Sequence, residues 1–391
     1  MKSGFGLIGA LSVVFTIVGC GASDADTSDQ GSNSDGKDSV AEARKSVARQ
    51  DLGDSSFKPA ELESTVDKLV KAIEAEPAES MKLKVVLKTL TGYWEPVQLG
   101  AKRALGELEV KGGVDAPVDG TTGDEQTASQ VAMMQDDIKS GYDGFGLAPM
   151  EDVITDQINA AEKGGAPVIT IDSDLPDSKR TLYIGTMNAD AGKTGGESLV
   201  EQLGGEGKGS VVIYGNDDPA WVDGYERTMG AKKAIEAAGY TGIVIKVNWD
   251  DGGEEKDMQV LTDAFNSADP PVVGMIGVFS VAFRCAMLAE QVGKKAGDLK
   301  IAAFDFDPKT VEYMQSGYIQ VTHAQRQYYM GYLAPYVLYG INVLGADKTK
   351  SLLKANMVDD VRFNAGLDIV PAAKLDDYYS YLDSLGIGGI Q

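Results

Sequence analysis

From residue 82 onward, short apolar runs alternate with amphipathic stretches. The runs read KLKVVLKTL, YDGFGLAP, APVITIDSD, LYIGT, GSVVIYG, GIVIKVNWD, PVVGMIGVFS, LKIAAFDFD and YIQVTHA. Between them, 97–109, 125–139, 152–163, 190–203, 226–238, 255–267, 282–294 and 326–344 place apolar residues at helical spacing. Continuous apolar runs separated by helices predict parallel strands covered on both faces. That many strands fit two open, doubly wound sheets, with a single (β/α)8 barrel as the rival. Upstream, Leu62, Val66, Leu69 and Ile73 repeat at helical period until Pro77, which predicts a helical extension within 39–80, packed on the body or lying as a collar.

The first residues change the picture of where the protein works. Lys2 precedes an apolar run over 5–18, too short and too weakly flanked for a permanent span and suited to a signal sequence. It ends in IVGC, which resembles a bacterial lipoprotein signal: 1–20 would be the signal peptide and Cys20 the lipidated residue, with ordinary secretory cleavage as the alternative. Residues 21–38, GASDADTSDQGSNSDGKD, hold almost nothing apolar and are expected to form a flexible spacer. Formal net charge is -23, from 36 Lys+Arg against 59 Asp+Glu, which disfavours nucleic acid as a partner.

In open α/β sheets, ligands sit beyond the carboxyl ends of strands. Those ends here read TGYWE, IDSD, GNDDPAW, NWDD, VFS, FDFD and HAQRQ, and they hold all of the chain's tryptophans, Trp94, Trp221 and Trp249. They also hold Asp172, Asp174, Asn216, Asp217, Asp218, Asp223, Asn248, Asp250, Asp305, Asp307 and Gln325. An aspartate at a strand end often does no more than cap the next helix. The remainder, set between aromatic faces, suits a polyhydroxylated ring: carboxylates accept from hydroxyls, and flat apolar faces cover the C–H faces of a sugar.

Catalytic and metal chemistry find little support. The one histidine, His323, falls in an apparent strand, and Cys285 lies in a helical pattern among apolar neighbours, which makes a buried inert thiol. The run GGEGKGS lacks phosphate-loop spacing, and DSDLPD and DDGGEE fail the calcium-loop pattern. Paired carboxylates keep a glycoside-processing enzyme open as the least favoured reading. The expectation is no catalysis, no cofactor and no metal.

The order of these loops resembles the type I periplasmic sugar-binding proteins, particularly the ribose-binding group, over about residues 82–345, with an echo in FNAGLDIV. In that family an aromatic pair follows the first strand, as Tyr93 and Trp94 do. A carboxylate ends PVITID (Asp172), an aromatic follows a second-domain strand (Trp249), an aspartate ends AAFD (Asp305), and a glutamine stands in THAQ (Gln325). The resemblance implies two doubly wound parallel-sheet domains joined by a three-stranded hinge, with crossings near 186–188, 323–327 and 346. The N-terminal lobe would be 81–187 with 326–346, and the C-terminal lobe 188–325 with 347–391. It also implies a monomeric extracytoplasmic protein that captures a small sugar or polyol and passes it to an ABC permease in the membrane, or, as the alternative, a sensor that presents ligand to a membrane receptor. Sugar-responsive repressors share the fold but carry a DNA-binding helix-turn-helix where this chain has a signal and an acidic spacer.

Departures from the family pattern bear on the ligand. Ser173 and Asp223 stand where arginines are usual, and Phe279 and Ser280 replace an Asn-Asp pair. Guanidinium forks are thus expected to be lost and an acceptor, Asp223, gained, making a pocket more acidic and more aromatic than a pentose site. A larger sugar, a polyol, an amino sugar or a cationic solute would suit it.

Overall fold

The computed structural model describes residues 46–118, 122–249 and 252–388. The signal peptide, Cys20, the 21–38 spacer and Asp250 lie outside the described residues.

The apolar runs form two six-stranded sheets rather than a barrel. The first contains β1 (Lys82–Val86), β2 (Lys111–Asp115), β3 (Gly144–Leu147), β4 (Val168–Ile171), β5 (Leu182–Gly185) and β11 (Arg362–Asn364). The second contains β6 (Ser210–Gly215), β7 (Thr241–Lys246), β8 (Val272–Gly277), β9 (Lys300–Phe304), β10 (Val321–Gln325) and β12 (Leu367–Pro371). Their orders are β11-β5-β4-β3-β1-β2 and β12-β10-β9-β8-β6-β7. Every pairing is parallel except β10 with β12. Within each lobe the first two strands sit in reversed order at one edge, so the order turns between β1 and β3 and again between β6 and β8. Such switch points open a crevice at the strand ends.

The described helices are α1 (Ala60–Glu74), α2 (Glu95–Glu107), α3 (Gly123–Lys139), α4 (Thr155–Lys163), α5 (Asn188–Gln202), α6 (Val222–Ala237), α7 (Gly253–Ser267), α8 (Phe283–Gln291), α9 (Pro308–Gln315), α10 (Gln327–Leu344), α11 (Ala346–Leu353) and α12 (Leu375–Leu385). Among the described residues no helix is long and apolar enough to cross a membrane. The apolar α10 is instead buried against α2 and the first sheet.

Two helix pairs approach very closely, α2 with α10 and α5 with α6. A Cβ on Gly100 would lie 2.1 Å from the Tyr328 carbonyl oxygen, and one on Gly192 would lie 1.9 Å from that of Arg227. Only glycine permits these crossings. The second crossing carries the start of α6 against the start of α5, which matters for the site below.

The chain passes between the sheets at 186–187, at Arg326 and at 365–366. The last passage corrects the expected crossing near 346. Residues 346–353 form α11 on α1 and α10, and β11 then adds to the first sheet through β5, so 347–364 belong with the N-terminal lobe. Three residues of β11 are too short to show a period, and their partner is remote in sequence. Edge strand β2, KGGVD, was also not expected; only Val114 in it is buried.

Among its described residues the N-terminal extension is helical over α1 alone, and Leu62, Val66, Leu69 and Ile73 are all buried there. Ahead of it, Arg49 pairs with Glu63 at 2.9 Å and donates from Nε to the Tyr332 hydroxyl of α10 at 3.1 Å. Gln50 accepts from Arg103 of α2 at 2.6 Å and donates to the Ser384 carbonyl of α12. Phe57 packs edge-on against Tyr378 of α12 at 4.9 Å. This segment therefore touches the N-terminal lobe through α2 and α10 and the C-terminal lobe through α12, whose Tyr378 also packs on Phe306.

Candidate functional site

The carboxyl ends of both sheets face one cleft. Asp172 follows β4 and Asp305 follows β9, at equivalent places in the two strand orders. Both adopt left-handed backbone, with φ of 65° and 63°. That conformation costs a residue other than glycine about 1–3 kcal/mol and persists only where surrounding bonds enforce it. Here they do. The Asp172 N–H donates to the Ile184 carbonyl at 2.9 Å, and the Asp305 N–H to that of His323 at 3.0 Å.

Each carboxylate is held by a neighbour. The Tyr93 hydroxyl donates to Asp172 Oδ1 at 2.6 Å, and Gln325 Nε2 donates to Asp305 Oδ1 at 2.9 Å. Burial, then the nearby Asp172 and Asp305 carboxylates, raises the Tyr93 hydroxyl well above its ordinary pKa, so Tyr93 stays a donor. Because Asp172 belongs to one lobe and Asp305 to the other, Tyr93 feels both walls at once.

The second lobe adds a continuous polar chain. Asn188, at the start of α5, donates to Asp223 Oδ1 at 3.0 Å. Its own oxygen accepts from Arg227 Nε at 3.0 Å and Nη2 at 2.6 Å. Arg227 also reaches the Val278 carbonyl at 3.1 Å and Gln325 Oε1 at 3.0 Å. Asp223 and Asp305 are thus joined through Asn188, Arg227 and Gln325, two of which stand beside crossings between the lobes. The guanidinium charge fixes both amides with oxygen toward it and nitrogen toward a carboxylate. Burial raises the Asp223 carboxyl to about 7, with Asp172 next in effect and Arg227 opposing. Burial also raises Asp305, against the pull of Arg227.

Arg227 corrects the expectation that guanidinium groups leave the site. It comes one helical turn after Asp223 on α6, and the glycine crossing at Gly192 seats it against Asn188. In the sequence Arg227 stands in an amphipathic helical stretch, and no spacing there marks it out.

Aromatic walls stand where expected, with different members. Trp221 stacks on Phe279 at 4.8 Å, and Trp249 meets the edge of Phe279 at 5.7 Å. Trp221 and Trp249 are 41% and 55% exposed, and Trp221 lines the cavity described below. Trp94 differs: it is buried in the first-lobe core, edge-on to Tyr93 at 5.4 Å, with Lys88 Nζ 5.7 Å from its ring. Phe279, which replaces an expected polar residue, becomes the centre of the aromatic group.

A cavity of about 1050 Å³ runs between the lobes, lined by Lys88, Ser173, Asp174 and Tyr183 on one side and by Asn188, Trp221 and Asp223 on the other. Thr186, at the first crossing, also lines it; the residue is 4% exposed and its hydroxyl has no hydrogen-bond partner. Several loop acceptors prove structural. Asp174 pairs with Arg180, Asp307 caps α9, and Asp218 is paired on the surface with Lys246. His323 is buried between the Ala303 carbonyl at 2.8 Å and the Ser198 hydroxyl at 2.9 Å, and burial lowers its pKa to about 4. Cys285 is buried and its thiol pushed up by burial. Among the described residues, no group of three His, Cys, Asp or Glu side chains is placed to hold a metal ion.

Two hinged lobes with a polar, aromatic-walled cleft define a binding protein, and the sequence agrees. Residues 83–344 match the family described as periplasmic binding protein domain, and the chain belongs to that family. No curated protein sequence matches it significantly. Its fold is that of a sugar ABC transporter sugar-binding protein from Bacillus halodurans, at 23% identity, TM-score 0.62, covering 76% of this chain and 99% of that one. An ABC transporter solute-binding protein from Burkholderia graminis C4D1M, in complex with D-arabinose, is 26% identical with TM-score 0.60, covering 77% and 98%. GanP, a glucose-galactose binding protein from Geobacillus stearothermophilus, is 24% identical with TM-score 0.59, covering 76% and 99%.

Proposed function

We propose that this chain is an extracytoplasmic solute-binding protein that captures a monosaccharide or related polyol between its lobes and delivers it to an ABC transporter. The observation that carries this reading is the pair Asp172 and Asp305, held at left-handed φ at equivalent strand ends of the two lobes and within electrostatic reach of each other. Their free oxygens accept from sugar hydroxyls, Tyr93 and Gln325 fix their orientation, and the exposed faces of Trp221 and Trp249 cover apolar ring surface. The sugar-binding and arabinose-bound neighbours support the same ligand class.

The ligand-binding set is Tyr93, Asp172, Trp221, Asp223, Trp249, Asp305 and Gln325, with Trp94 supporting Tyr93 from the core. The protein binds without turnover, works as a monomer, and is tethered to the membrane through a lipidated Cys20, with 21–38 as the tether.

Isothermal titration against pentoses, hexoses and their polyols, with chromatography of the recovered ligand, tests this function. Saturable one-site binding with unchanged sugar supports it. Chemical conversion of the sugar would make the protein an enzyme, and failure to bind any member would remove the carbohydrate reading. Mass spectrometry of the native N-terminus should show a diacylglyceryl cysteine at position 20.

A further inference from the structure

The charges of the cleft do not balance. Asp172 lies within electrostatic reach of both Asp223 and Asp305. The positive groups that act on Asp223 are Arg227 and Lys88; Arg180 and Arg362 also line the cavity but are paired with Asp174 and Asp359. Arg227 spends its N–H groups on the neutral oxygens of Asn188, Val278 and Gln325. Lys88 is turned to the Ser173 hydroxyl at 2.7 Å and lies over Trp94. The remaining neighbours of Asp223 do not help: Asp174 is already paired with Arg180, and Glu226 on the same helix is a further carboxylate in the cavity lining, within electrostatic reach of Arg362. Independently, Thr186 lines this same cavity, and the residue is more than nine-tenths buried with its hydroxyl without a partner. A buried hydroxyl left unpaired costs free energy unless a ligand satisfies it.

Resting on the carbohydrate reading above, we propose that the occupant of the cleft carries a protonated amine among its hydroxyls, an amino sugar or aminated polyol, with the ammonium set against Asp223 and Asp172 and a ligand polar group on Thr186. An ammonium supplies the missing positive charge and donates up to three hydrogen bonds, where a neutral hydroxyl donates one. The unusual acceptor at Asp223 is explained directly. A neutral sugar would instead leave like charges facing each other, or require Asp223 to stay protonated.

Calorimetry of the purified protein with glucose, galactose and mannose, each beside its 2-amino-2-deoxy counterpart, decides the matter. At neutral pH at least one amino sugar should bind 10-fold or more tighter than its neutral partner. Binding should also release protons from Asp223, read as a dependence of the heat on the ionisation enthalpy of the buffer. Asp223→Asn should erase the preference, and Thr186→Val should weaken the amino sugar about 10-fold. The proton release is measured on the unaltered protein, so it stands even if a variant misfolds. Neutral sugars binding as tightly as, or tighter than, their amino counterparts would overturn the charge assignment while leaving the carbohydrate reading intact. No binding by either series would overturn both.

Discussion

If Asp223 binds ligand as proposed, it ties ligand chemistry to stability through a single proton. A carboxyl whose pKa rises from the ordinary value near 4 to about 7 on folding binds its proton more tightly in the folded state. Its contribution to stability is therefore fully present below about pH 4 and is lost as the pH climbs through 7. Asp305, also raised by burial, acts in the same direction. The ligand-free protein should melt at a lower temperature at pH 8 than at pH 5.5, and Asp223→Asn should reduce that slope and raise the melting temperature at pH 8. Differential scanning calorimetry at both pH values checks this; an unchanged slope in the variant would place the proton elsewhere. Asp305→Ala, which removes an acceptor facing buried donors, should cost about 2–4 kcal/mol of sugar affinity by titration.

Much of the site at this scale was open to reading from sequence. Asp172, Asp305 and Gln325 were legible because strand ends reveal themselves as apolar runs that stop at a polar residue. Arg227 was not, because an arginine in the first turns of an amphipathic helix looks like any solvated charge. Thr186 was not, because an unpaired hydroxyl is a property of its surroundings and leaves no trace in the chain.

At the scale of elements, the close crossing of α5 and α6 positions Arg227. Gly192→Ala would drive a methyl group into the Arg227 carbonyl, so the helices must separate and the guanidinium must leave Asn188 and Gln325. We expect about 1–3 kcal/mol lost in denaturant unfolding, with sugar affinity falling alongside. Gly106→Ala provides the contrast: it lies in α2 with nothing within 4 Å of a Cβ there, so the substitution should stabilise the protein by about 0.5–1 kcal/mol and leave binding alone. The segment before α1 makes a second element-level case. Arg49→Met would leave Glu63, which is 9% exposed, without its cation, and should destabilise by about 2–4 kcal/mol in the same assay.

For the whole molecule, the function proposed above predicts that the two lobes move about the three crossings. Trp221 and Trp249 are partly exposed on the second lobe, whereas Trp94 is already buried in the first lobe. Ligand should therefore change intrinsic fluorescence mainly through Trp221 and Trp249, and replacing either with Phe should shrink the signal while Trp94→Phe changes it little. Small-angle scattering with and without saturating sugar should show a smaller radius of gyration when ligand is bound. A constant radius would mean that the lobes do not close.

What the sequence determined by itself were the features carried by local periodicity: parallel strands alternating with helices, two sheets' worth of strand ends, and the acceptors and aromatic rings concentrated there. These follow from side-chain patterns within a few residues. Only the tertiary structure decided features that depend on partners far apart in the chain. Strand β11 joins the first sheet because it pairs with β5, nearly half the chain away, and this moves the third crossing to 365–366. Trp94 turns into the core while Phe279 comes to lie beneath Trp221, since the packing space around a ring is set by the whole lobe. The excess of negative charge in the cleft likewise arises only when folding sets Asp172 and Asp305 on facing walls and commits Arg227 to neutral oxygens, because electrostatics depends on distances in space that sequence separation does not supply.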